Sequence, residues 1–144
     1  MMTRKLCILF CLLLFAFCSL DCSLPVLESP ECSDSREAVR QFYSFHYAND
    51  IAPTADNLKA REKYLTPELY QTLLGEKLAK DYFTLSETPP KAFRVAACTM
   101  ADANKTKLGV HLFWKDETKT TQNEIEVEAV KQGDKWLVNK VTPK

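Results

Sequence analysis

The sequence has little glycine, three residues in 144. A phosphate-cradling loop needs a glycine cluster, so that backbone N–H groups can close on the anion. Gly75, Gly109 and Gly133 stand far apart, and no such loop exists. Histidine is scarcer still, with two residues. His46 and His111 sit at no spacing from cysteine or carboxylate that suits a metal ligand set. No metal and no cofactor is therefore expected. Net charge is missing as well, because Lys plus Arg equals Asp plus Glu at 19 each. Proteins that neutralise a nucleic-acid backbone carry a strongly basic face, so nucleic acid is not an expected partner. No serine sits in a nucleophile elbow. The one long uncharged apolar run, Leu6–Cys18, is shorter than the ~20 residues that cross a bilayer core.

What precedes that run gives it a meaning. Arg4 and Lys5 form a short basic head, and a basic head before an apolar core makes a secretory signal peptide. The expected leader is 1–18, cut before Ser19, with the small residues Ala16 and Cys18 at −3 and −1, and a cut a few residues later is the alternative. Export to a periplasmic or extracellular compartment follows. A lipidated cysteine wants a small residue before it, whereas Phe17 precedes Cys18 and Asp21 precedes Cys22. Membrane anchoring through a lipidated Cys thus has no support in the sequence. An oxidising compartment lets two of Cys22, Cys32 and Cys98 pair. Cys32–Cys98 is the expected bridge, with Cys22–Cys32 as the competing choice.

Residues 19–33 contain Pro25 and Pro30 without periodicity and read as a tether. A single domain is expected over 34–144. Its first helix is expected near Asp34, where Asp34 and Glu37 have capping-box spacing. Val39, Phe42, Tyr43, His46 and Tyr47 then recur at helical spacing as one aromatic stripe. Asp56–Lys63 reads as a short charged helix. Thr66-Pro67-Glu68 starts another, since Thr caps, Pro suits the first turn and Glu complements the dipole. That helix is expected to reach about Tyr82, with Gly75 as a possible break. Period-two alternation then marks four strands, Ala92–Met100, Lys107–Lys115, Asn123–Lys131 and Lys135–Thr142. In the first, Phe93, Val95 and Ala97 share one face and Arg94, Ala96 and Cys98 the other. In the last, the inward face is ambiguous between Trp136/Val138 and Leu137/Asn139/Val141. Asn104-Lys105-Thr106 is a formal glycosylation acceptor, with meaning only in a eukaryotic source.

The order of a long aromatic helix, shorter helices and antiparallel strands resembles the cystatin-like α+β folds of the nuclear transport factor 2-like superfamily. The closing "GDKWLVNKV" (Gly133–Val141) is similar to the last strand of that group. "VRQFYSFHY" (Val39–Tyr47), "YLTPELYQTL" (Tyr64–Leu73) and "DYF" (Asp81–Phe83) resemble small exported, often lipoprotein-like bacterial domains of unknown function. The resemblance implies N-terminal helices packed on a curved antiparallel four-stranded sheet, with a cone-shaped pocket between them. It supplies no catalytic residues.

The functional expectation is a non-catalytic exported binding module. It would hold a protein, a peptide or an apolar small ligand in the cone or on the sheet face. Tyr43 and Tyr47 are the candidates in the cone, and Arg94, His111 and Glu126 those on the sheet. One alternative is a small isomerase- or hydrolase-type enzyme using Asp81 or His111 in the cone, where a carboxylate can serve as base. Another is an envelope assembly accessory, with a homodimer formed through the open sheet. Asp81 is expected to be a solvated or capping carboxylate, and His46 to flank the stripe.

Overall fold

The computed structural model describes residues 28–144. The leader, its cleavage point and Cys22 lie outside the described residues. Helix α1 runs over Pro30–Ala48, starting before the expected Asp34. The local chemistry explains the early start. Ser29 is the N-cap, its side chain accepting from the Cys32 N–H at 3.2 Å, and Pro30 fills the first turn. A proline there loses only an N–H that has no helical partner anyway. Pro30, read as a mark of tether, is part of the cap. Asn49 ends the helix, donating from Nδ2 to the Phe45 carbonyl at 2.7 Å.

Helix α2 spans Ala55–Arg61 behind the N-cap Thr54, and a 3-10 turn over Glu62–Tyr64 follows. Helix α3 spans Pro67–Gly75 behind the N-cap Thr66. It stops at Gly75, short of Tyr82, because glycine pays a large backbone entropy in a helix, and this outweighs the helical spacing of Leu74, Leu78 and Tyr82. The following segment folds back on itself instead. The Asp81 N–H donates to the Ser86 carbonyl at 3.3 Å, and Leu85 takes a left-handed φ of 54° in the turn.

Four antiparallel strands follow, β1 Ala92–Asp102, β2 Lys105–Lys115, β3 Thr120–Gln132 and β4 Lys135–Pro143, in the order β1-β2-β3-β4. Helix α1 lies against all of them. Val39, Phe42 and Tyr43 share one core with Leu108, Val110, Leu112, Ile125, Val127 and Ala129.

Two irregularities decide which residues face that core. Between β1 and β2, Val95 pairs with Val110 but Cys98 pairs with Leu108, so Ala96 and Ala97 stand opposite Gly109 alone. An extra residue reverses the alternation beyond it. Cys98 therefore turns to the core side, contrary to the strict alternation expected, and reaches Cys32 in a disulfide. The competing Cys22–Cys32 pairing is excluded by this bond. The second irregularity is in β4. Val138 pairs with Ala129 and Lys140 with Glu128, leaving Asn139 as the extra residue. Val138 and Val141 both turn inward for that reason, which resolves the ambiguous face.

Candidate functional site

The polar chemistry of the interior gathers around His46, on the last turn of α1. The imidazole lies between Phe42, stacked at 5.6 Å, and Phe83, edge-on at 5.3 Å between ring centroids. Its Nδ1 accepts from Arg61 Nε at 2.6 Å, and its Nε2 is 3.0 Å from Asp81 Oδ2. A guanidinium can only donate. Nδ1 is thus the bare nitrogen, and Nε2 carries the proton that Asp81 accepts. All three side chains are buried, Arg61 at 2 % and Asp81 at 6 % exposure.

Each member is held by its own element. Arg61 closes α2 and donates to the carbonyls of Asn57, His46 and Asp50 at 2.6, 3.3 and 2.8 Å. Asp81 Oδ2 also accepts from the N–H and hydroxyl of Thr84, at 2.9 and 2.7 Å. So Asp81 caps a turn, as one expectation had it, but it is buried and not solvated. A guanidinium and a carboxylate are thereby taken out of water together, joined through a neutral ring. Burial pulls the Arg61 pKa down, opposed by the charges of Asp81 and Asp50.

Beside this network lies a cleft of about 200 Å³. The loop at Ile51–Pro53, Leu58 of α2, Leu73 of α3 and Leu78 and Phe83 of the following segment form apolar walls, while Arg61 and Asp81 reach its lining. Leu74, 45 % exposed, stands at the rim. The cleft is not the expected cone between α1 and the sheet. That space is packed by Phe42, Tyr43, Val110, Leu112 and Val127, none of which is reached by solvent.

Tyr43 is one of those packing groups, and its hydroxyl donates to the Phe83 carbonyl at 2.8 Å. Burial, first, and then Tyr47 and Asp81 push its pKa well up. Tyr47 stacks on Phe93 at 5.4 Å, and its hydroxyl is buried without a partner among the described residues. Its pKa is also raised, by burial first and by Asp81 second. Neither tyrosine lines the cleft.

His111 is not in the cone either. It lies on the sheet face turned away from α1, in register with Arg94 on one side and Glu124 on the other, and its Nδ1 is 2.6 Å from Gln122 Nε2. Alternation from the inward Val110 and Leu112 requires this. An enzyme using His111 in the cone is ruled out by that placement. Arg94, His111 and Glu126 do share a face, as expected. The acids there are paired, Glu126 with Lys107 at 3.0 Å and Glu124 with Lys144 at 2.6 Å. Gly109 leaves room for this ladder, since a Cβ on it would stand 2.7 Å from Glu124 Oε1. Asn139, from its bulge, donates to Glu128 at 2.7 Å and accepts from the Thr66 hydroxyl at 2.9 Å.

Arg61 was the residue that sequence reasoning passed over, inside a stretch read only as charged. A signal existed. Leu58, Arg61 and Leu65 recur at spacings of three and four, which puts Arg61 on the apolar stripe.

No family model matches the chain, and no curated protein matches it. Solved structures do. An Ntf2-like protein involved in plasmid conjugation superposes with a TM-score of 0.53 and 15% identity, over 82% of this chain and 40% of that one. The chain thus spans less than half of that protein's length. A protein of unknown function from Bacteroides thetaiotaomicron superposes with a TM-score of 0.54 and 16% identity, over 78% of this chain and 91% of that one. At such identities the likeness speaks for the fold. The chain has the α+β fold of the Ntf2-like protein, three helices on an open four-stranded antiparallel sheet among the described residues.

Proposed function

We propose that this domain is a non-catalytic exported binding module, and that its ligand enters the cleft beside α2. The observation that carries the reading is an apolar-walled space of about 200 Å³ with the Arg61–His46–Asp81 network at its polar end. The volume narrows the ligand. A cavity of about 150 Å³ takes a benzene molecule, and sites for drug-sized ligands begin near about 300 Å³. The cleft suits one ring or one branched chain, free or as a side chain of a peptide or protein. It is too small for a nucleotide or a haem.

That His46 serves as no general base follows from the same atoms. A general base needs a nitrogen or oxygen within reach of the substrate proton. Both ring nitrogens of His46 are engaged by protein partners, and its faces are covered by Phe42 and Phe83. Export rests on the leader expected from sequence. The Cys32–Cys98 disulfide is compatible with it, and no described helix is long and apolar enough to cross a membrane.

Titration of the ¹⁵N-labelled protein with toluene tests the reading. Amide shifts are expected at Ala52, Leu58 and Leu78 and not at His111 or Glu126, and Leu78→Trp should abolish them by filling the space. Toluene that perturbs no cleft amide would overturn it.

A second reading places a protein partner on the outer sheet face. It is favoured by Arg94, exposed and without an ion pair among the described residues. It predicts that alanine at His111 and Glu126 weakens binding of such a partner; binding unchanged in both variants counts against it. If that partner is a second copy, sedimentation shows a dimer.

A further inference from the structure

The cleft has a polar end whose chemistry selects among the apolar ligands that fit it. Asp81 Oδ2 receives three donors, His46 Nε2 and the N–H and hydroxyl of Thr84. Oδ1 takes none of these bonds, and Asp81 lines the cleft. Asp81 is 6 % exposed and its Oδ1 is not sealed from solvent, so a donor entering the cleft can reach that oxygen. Arg61 lies on the same lining, but four of its five N–H groups already point at His46 Nδ1 and at three carbonyls. The cation is thus nearly saturated within the protein, and the anion is not. Glu76 lines the cleft as well, so one cation stands against two carboxylates there. A ligand carboxylate would meet that excess of negative charge, whereas an ammonium would find a bare acceptor.

We propose that the cleft takes a compact apolar group, about one aromatic ring in size, ending in a primary ammonium that docks on Asp81 Oδ1. The proposal rests on the cleft being the binding site, and it adds the ligand's polar end. A free arylalkylamine and the amino-terminal aromatic residue of a peptide share this chemistry.

The test compares benzylamine, toluene and benzoate by amide shifts in the disulfide-bonded chain at one pH near neutrality. A hydrogen bond to a charged group, formed in place of none, amounts to roughly tenfold or more in affinity. Benzylamine is therefore expected to bind about tenfold tighter than toluene, and benzoate weaker than both. Asp81→Asn should bring benzylamine down to the toluene level. Should that variant not fold, the three-ligand ranking on the unaltered protein decides by itself, and Leu78→Trp checks that all binding is in the cleft.

Equal affinity for benzylamine and toluene, or a preference for benzoate, overturns the ammonium assignment and leaves the cleft as the site. Binding of none of the three sinks both. The tripeptide amide Phe-Gly-Gly separates the sources. Binding at least as tight as that of benzylamine points to a peptide amino terminus, and exclusion points to a free amine.

Discussion

His46 holds a position where a neutral ring mediates between two opposite charges. A buried ion pair seldom adds net stability over an apolar replacement, yet removing one partner strands the other. Arg61→Ala would leave Asp81 buried beside an imidazole that has lost its donor, and would free three carbonyls as well. A loss of about 3–5 kcal/mol is expected, read from urea denaturation. If the loss is under about 1 kcal/mol, the network does not hold α2 in place. The identities of all three residues are plain in the sequence. Their convergence is not, because His46, Arg61 and Asp81 come from three segments and meet only when α2 and the loop after α3 fold over the end of α1.

At the scale of elements, the two bulges do more than bend strands. The one in β1 turns Cys98 toward α1, so the disulfide joins the edge strand to the helix that covers the sheet. Arg36 of α1 reinforces the same place by donating to the Val95 and Ala96 carbonyls at the bulge. The bridge spans a sequence separation of 66 residues. In the chain-entropy account a loop of that length contributes about 4 kcal/mol. Replacing both cysteines by alanine should lower the unfolding free energy by that order, and reducing the native bridge should do the same; an unchanged urea midpoint would refute the linkage. The bulge in β4 presents Asn139 to Glu128 and to the Thr66 cap of α3. Asn139→Ala removes both bonds and should cost about 1–3 kcal/mol in thermal or urea unfolding. Val138→Asn, by contrast, tests the inward face itself and should be more damaging than Leu137→Asn, because Val138 is buried and Leu137 only half so.

For the whole molecule, stability should fall on both sides of neutrality. Hydrogen bonds hold the carboxyls of Asp50, Asp116 and Glu124 below their usual range, helped at Asp50 by Arg61 and at Glu124 by Lys144. A depressed folded pKa stabilises above the unfolded value and is lost as pH falls through the folded one, so a decline is expected below about pH 4. Tyr43 and Tyr47 behave oppositely. Their folded pKa values are raised, so their contribution is complete below the unfolded value of about 10 and is lost as pH rises beyond it. Phenolate absorbance should therefore show these two tyrosines ionising together with alkaline unfolding; titration of both while the fold persists would contradict their burial. The sequence alone determined the helix-then-sheet order, the approximate strand positions, the Thr66 start of α3, and the aromatic stripe that enters the core. These follow from periodicity, capping and turn chemistry, which act over a few residues. Only the tertiary structure decided that the cone is filled, that a cleft opens beside α2, that Cys98 faces inward, and that Arg61 is buried on His46. Those outcomes depend on single-residue register shifts and on close packing between distant segments, and a local pattern contains neither.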